Sequence, residues 1–172
     1  MTAPIARRTF LGLAAASLAA CRPRAEETAS SEESKKAASA FIAKTATEPG
    51  IQKLPSGVLY KVIHSGPPEG LRPQLTDEVK VHYEGKLPNG KVFDSSYDRG
   101  VPASMPLGRL VPAWQEALQK MRPGDEWILY VPPEQGYGAE GAGDGEIPPN
   151  SALIFRIELL GVLPGPGRIQ QG

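Results

Sequence analysis

From Gly57 onward the apolar positions recur at every second residue. Val58, Tyr60 and Val62 alternate with Leu59, Lys61 and Ile63, and Val79, Val81 and Tyr83 alternate with Lys80, His82 and Glu84. The second run is that of a half-buried strand with one wet face. Trp127, Leu129 and Val131 form one face of a later strand, and Leu153, Phe155, Ile157 and Leu159 one face of the last. Asn89-Gly90 falls between two strand-like runs, the strongest short-range hairpin signal. Helical spacing occurs once in this region. Pro112 suits a first turn, Trp114 and Leu118 lie four apart, Met121 extends their face, and Arg122-Pro123-Gly124 stops it. Several antiparallel strands and one short helix predict an α+β domain over residues 51–163, a sheet wrapped around the helix.

The flanks read differently. Residues 22–44 are rich in Ala, Ser, Glu and Lys, a solvated linker with one short helix from about Glu32 to Thr45, closed by Pro49-Gly50. Residues 164–172 read as a disordered tail. At the start, Arg7-Arg8 precedes an apolar stretch, Phe10 to Ala20, far shorter than the roughly 20 residues a membrane-crossing helix needs. That pattern is a signal peptide over residues 1–20. Arg7-Arg8-Thr9-Phe10-Leu11 resembles the twin-arginine export motif, with Ala6 where Ser or Thr is usual. Leu18-Ala19-Ala20-Cys21 resembles a bacterial lipobox, which implies a lipid on Cys21 and attachment at the periplasmic face, in the outer membrane where there is one. Simple cleavage would instead leave a soluble periplasmic protein.

Composition narrows the chemistry. Nineteen basic and nineteen acidic residues cancel over 172 residues, so no global field points to nucleic acid. A single cysteine forms no disulfide within the chain. His64 and His82 lack cysteine or carboxylate neighbours at ligand spacing, and the sequence contains neither a Gly-x-Ser-x-Gly elbow nor a phosphate-binding loop. Gly136-Tyr137-Gly138-Ala139-Glu140-Gly141 matches a dinucleotide fingerprint in letters only, because Ile147-Pro148-Pro149 rather than a helix follows it.

What remains is a set of aromatic and aliphatic residues joined by a few polar ones. Val81-His82-Tyr83-Glu84-Gly85, Gly90 to Ser96, Leu110-Val111-Pro112-Ala113-Trp114, Gly136-Tyr137-Gly138 and Ile147 to Phe155 follow one another between Gly57 and Leu163. In order and spacing they resemble the motifs of FKBP-type peptidyl-prolyl cis–trans isomerases. The approach from Glu48 to Tyr60 resembles the exported bacterial, macrophage infectivity potentiator-like branch, whose long helical dimerisation region is nearly missing here, so a monomer is expected.

The resemblance implies a pocket lined by Tyr83, Phe93, Trp114, Tyr137, Ile147 and Phe155, with the Trp114 indole as its floor. It implies Asp94 at the rim, paired with Arg99 and near the Tyr83 hydroxyl, and hydrogen bonds to substrate carbonyls from the Val111 N–H and the Tyr137 hydroxyl, with Leu110 in support. It implies no cofactor or metal, proline-containing unfolded or flexible polypeptides as partners, and some binding of the macrolides tacrolimus and rapamycin. That binding is expected to be weak, because Ala103, Ser104 and Met105 stand where family aromatics do, the stretch from Gly108 to Trp114 is shortened, and the Gly138–Glu146 loop is a residue longer. The competing reading, from another class, is a non-catalytic proline-peptide clamp or holdase chaperone using the same pocket.

Overall fold

The structure, a computed structural model, describes residues 24–166; the expected signal peptide and Cys21 lie outside them. Helix α1 spans Arg24–Thr45. It starts eight residues before the expected Glu32, because nothing from Arg24 to Thr45 breaks it: Ala, Glu and Lys abound, and Gly and Pro are absent. Ala38 and Thr45 are buried, and the Phe41 ring lies 6.2 Å from that of Tyr130. The sparse apolar stripe therefore still has one face to cover.

That face is the outer surface of a seven-stranded, wholly antiparallel sheet. Its strands are β1 (Gln52–Lys53), β2 (Leu59–His64), β3 (Glu78–Lys86), β4 (Val92–Ser95), β5 (Ala103–Pro106), β6 (Glu126–Val131) and β7 (Leu153–Leu163). Their spatial order is β1-β2-β6-β7-β3-β4, with β5 also on β3. Leu59, in the set that alternates with Val58, Tyr60 and Val62, is also buried. It stands opposite Tyr130 in the ladder, on the side α1 approaches. The inner face carries the predicted period-two residues: Val79, Val81, Leu129, Val131, Leu153, Ile157 and Leu159 are fully buried.

Helix α2 (Pro112–Leu118) fills the concavity with Ala113, Trp114, Ala117 and Leu118, and Met121 continues the buried face beyond its end. Pro112 occupies its first turn as predicted. The stop is built by Gly124, at φ +92°, whose N–H donates to the Leu159 carbonyl at 2.7 Å. The Asp125 carboxylate then gathers the N–H groups of Arg122 and Gly66, at 2.8 and 2.6 Å.

The hairpin after β3 is longer than a two-residue turn. The Gly90 N–H donates to the Leu87 carbonyl and only Gly90 takes positive φ, +88°, with Asn89 accepting from the Lys91 N–H. This is a wider loop with glycine at its left-handed position. The start of the expected disordered tail, residues 164–166, is held instead: the Gly165 N–H donates to Asp77 Oδ1 at 2.9 Å. A β-carbon on Gly165 would come 2.0 Å from the Thr76 carbonyl oxygen, so only glycine lets the chain lie so close.

Candidate functional site

Strand β3 positions the site through a gap in its ladder. β4 pairs with its end from Glu84 to Lys86 and β5 with its beginning from Glu78 to Val81, which leaves Tyr83 without a strand partner on that edge. Ser96, just past β4, takes the place of a strand. Its N–H donates to the Tyr83 carbonyl at 2.9 Å and its Oγ accepts the Tyr83 N–H at 2.7 Å. His82 is half-buried, not solvated as expected of a wet face: it stacks on Tyr97 at 4.8 Å, with Nδ1 3.0 Å from Ser96 Oγ.

With its backbone so held, the Tyr83 ring points inward. It meets Trp114 edge-on (5.2 Å, 82°), Trp114 meets Phe155 edge-on (5.3 Å, 89°), and Phe155 meets Phe93 edge-on (5.7 Å, 86°). Edge-to-face contact satisfies the ring quadrupoles, and the four rings surround a cavity of about 280 Å³. Gly85 makes the wall continuous, since a β-carbon there would lie 2.5 Å from one atom of the Phe93 ring and 2.9 Å from the Phe155 ring. Asp94, Leu110, Val111 and Tyr137 complete the cavity together with Met105 and Arg109. The Trp114 indole N–H is buried without an acceptor, and the Val111 N–H, ahead of α2, has no acceptor among the described residues.

One edge of the cavity is charged. The Tyr83 hydroxyl donates to Asp94 Oδ2, Arg99 donates through Nη1 to Asp94 Oδ1, and Arg99 Nη2 donates to the Tyr83 oxygen at 3.0 Å. Burial pushes the Asp94 carboxyl up, but the hydrogen bonds from Tyr83 and Arg99 outweigh it and hold Asp94 below the usual carboxylate range. Burial and the hydrogen bond to Asp94 raise the Tyr83 hydroxyl above the usual tyrosine range, and burial and the Asp94 charge raise that of Tyr137. At neutral pH the edge is thus an aspartate, an arginine and two neutral phenols.

Seven of the eight pocket residues expected from the sequence meet at the cavity: Tyr83, Phe93, Asp94, Val111, Trp114, Tyr137 and Phe155. Ile147 is buried in the core and does not bound the cavity. Leu110 lines it, and Arg99 reaches it through Asp94 and Tyr83. Ala103 packs on the core, so of the unusual residues on β5 it is Met105 that faces the cavity. Arg109 had no sequence signal, because a charged residue on a short exposed turn reads as solvated. Among the described residues no three His, Cys, Asp or Glu side chains converge as metal ligands would.

A sheet folded over one short helix, with a ring-lined cavity between them, places the chain in the FKBP-like α+β class. A family profile described as FKBP-type peptidyl-prolyl cis-trans isomerase matches residues 70–160. A second, described as the domain amino terminal to it, matches residues 12–62. The chain belongs to the FKBP-type peptidyl-prolyl cis–trans isomerase family. The second match takes in helix α1 and strand β1.

Among relatives, "Peptidyl-prolyl cis-trans isomerase Mip" of Coxiella burnetii is 50% identical over 123 residues, 72% of this chain and 52% of that one. "Outer membrane protein MIP" of Legionella longbeachae is 42% identical over 138 residues, 80% of this chain and 58% of that one. The crystal structure of FkpA from Escherichia coli superimposes with a TM-score of 0.77 at 37% identity, covering 83% of this chain and 65% of that one. The chain spans between about half and two thirds of the length of these relatives.

Proposed function

We propose that this chain catalyses cis–trans isomerisation of X-Pro peptide bonds in flexible or unfolded exported polypeptides. The observation that carries the reading is the four-ring cavity closed on one edge by the Tyr83–Asp94–Arg99 cluster. Rotation about a peptide bond crosses about 18–20 kcal/mol because amide resonance is lost on twisting. The reaction makes and breaks no covalent bond, so it needs no nucleophile, acid or base. The twisted amide has a less polar carbonyl than the planar one, and a dry aromatic wall favours it over the planar ground state. In this reading the proline ring rests on Trp114 between Tyr83, Phe93 and Phe155. The Val111 N–H and the Tyr137 hydroxyl grip flanking carbonyls, and Asp94 and Arg99 fix the Tyr83 ring. Each 1.4 kcal/mol (approximately) by which this arrangement favours the twisted amide gives about tenfold in rate.

A cavity of about 280 Å³ lies just under the range of about 300–1,000 Å³ typical of drug-sized sites. It suits a ring and its neighbouring amides, and supports weak binding of tacrolimus and rapamycin. Residues 51–163 are the catalytic domain. Residues 1–20 are a cleaved signal, and Cys21 carries a lipid that anchors a monomer at the periplasmic face of the membrane. The name of the Legionella relative supports the membrane site, and no described helix is long and apolar enough to cross a membrane.

The test is isomerisation of a proline tetrapeptide series by the full chain and by Phe93→Ala and Trp114→Phe variants. Acceleration by the wild type that both folded variants lose is the expected result. A folded wild type that accelerates no member of the series overturns the enzyme and leaves a proline-peptide clamp or holdase.

A further inference from the structure

The cavity borrows part of its rim from the loop Gly136–Asn150, which carries Tyr137. This loop is rich in left-handed backbone: Gly138, Gly141, Gly143, Asp144, Gly145 and Asn150 all have positive φ. Most of its hydrogen bonds are its own. Ala142 and Ile147 exchange both backbone bonds at 3.0 Å, and the Asn150 N–H donates to the Gly138 carbonyl at 2.8 Å. Among the described residues one side chain ties it to a distant element. Asn150 Nδ2 donates to Ser31 Oγ on α1 at 2.6 Å, with the Ser31 carbonyl oxygen a longer second acceptor at 3.5 Å, across 119 residues of sequence.

Asn150 meets two demands at once. At φ +57° it is one of two non-glycine residues with left-handed backbone among the described residues, a conformation asparagine tolerates better than most. Its amide is buried, at 3% exposure, so an unmade hydrogen bond there carries a full desolvation penalty. Packing does not duplicate the bond. A groove of about 270 Å³, with Ser34 and Phe41 on the helix side and Pro148 and Ala152 on the loop side, keeps the two elements apart beside it.

We propose that Ser31 and Asn150 form a latch by which α1 holds the loop, and with it Tyr137, at the rim of the substrate cavity. Both are positioning residues: neither lines the cavity, and the latch acts on substrate binding through Tyr137, whose immediate neighbour Gly138 accepts the Asn150 N–H. The inference rests on the isomerase reading for its kinetic consequence, but not for its structural one.

The experiment uses the full chain with Ser31→Ala, Asn150→Gly (which keeps the left-handed backbone and removes the amide), their double variant, and Asn150→Asp. KM and kcat for a proline tetrapeptide are measured beside amide hydrogen exchange at Ala142, Ile147 and Asn150. Either single change is expected to raise KM about two- to tenfold, the range of one net hydrogen bond, with kcat nearly unchanged and exchange in the loop faster. The double variant is expected to match the worse single one, since the two residues share one interaction. Asn150→Asp should raise KM as Asn150→Gly does, because it replaces the donating amide with a buried carboxylate that has no cation beside it among the described residues. Ser34→Ala, on the same helix and outside the latch, should change neither readout. Wild-type exchange in Ser31→Ala and Asn150→Gly overturns the latch whether or not the chain is an isomerase. Faster exchange with unchanged KM overturns its role at the rim. A wild type with no isomerase activity but a loop that loosens in both variants overturns the enzyme and keeps the latch.

Discussion

Replacing Gly85 by alanine tests whether the aromatic wall is one packed unit. The new β-carbon would fall 2.5 and 2.7 Å from two Phe93 ring atoms and 2.9 Å from a Phe155 ring atom. Carbon atoms rest at about 3.5–4.0 Å, so the overlap is close to 1 Å on one side. Relief by moving β3 is blocked, because Gly85 is paired with Asp94 on one edge and Phe155 on the other. Relief by moving one ring breaks the edge-on pair of Phe93 and Phe155. Overpacking of this kind costs about 1–3 kcal/mol, and each kcal/mol lowers Tm by about 2–8 °C in a domain of this size. The assay pairs thermal unfolding, followed by tryptophan fluorescence, with isomerisation at a temperature well below both transitions. A lower Tm is expected together with reduced kcat/KM in the still-folded variant, since Phe93 is the ring with room to swing toward the cavity. An unchanged Tm would refute the packing. A lowered Tm with full activity would leave the rings in the fold and remove them from the site.

Three further outcomes follow from the cavity and its edge. Asp94→Asn should cost no more than about 1 kcal/mol of stability at neutral pH, because the Asp94 and Arg99 side chains are 41% and 46% exposed and solvent screens their pairing; denaturant titration reads it. That contribution is fully present above the ordinary aspartate value of 3.8 and is lost as pH falls through the lower folded value, so the variant and wild type should converge only in strong acid. Isomerisation should be independent of pH between about 5 and about 9, since the Asp94 carboxyl is held low and the Tyr83 and Tyr137 hydroxyls high; a step near neutrality in a pH–rate profile would reveal an acid or base at work. Trp114→Phe should lower stability by about 2 kcal/mol or less in a melt, because the indole N–H it deletes has no partner to orphan.

Strands β2, β3, β6 and β7, α2 and most of the cavity were legible because each rests on local rules. Period-two burial, a proline in a first turn and a glycine stop are written into neighbouring residues, and the ordered motifs carried the rings. What was not legible depends on contacts between distant segments. Helix α1 reads as a thin stripe until Tyr130 supplies a partner for Phe41. Strand β5 was missed because Ala103 to Pro106 has no alternation of its own and forms only against β3. The order of residues 164–166 depends on Asp77, a buried carboxylate 88 residues from Gly165.

The gap in β3 explains why the cavity sits where it does. A single partner strand along the whole of that edge would pair Tyr83 as it pairs its neighbours, and would leave no opening beside its ring. Dividing the edge between β4 and β5 sends the chain from Ser96 to Pro102 away from the sheet. Ser96 then has to satisfy both Tyr83 backbone groups, which it does with one N–H and one hydroxyl. The same excursion carries Arg99 back onto Asp94 and the Tyr83 hydroxyl. One interruption in a ladder thus supplies the opening, the anchor of its principal ring and the cation at its edge. Ser96→Ala would keep the N–H bond and orphan the Tyr83 N–H, a buried donor worth about 1–3 kcal/mol when unsatisfied. The loss should appear as reduced stability and as a Tyr83 ring no longer held against Trp114, read by a change in tryptophan fluorescence of the folded state. A variant with wild-type stability and emission would show that the gap is closed by something other than Ser96.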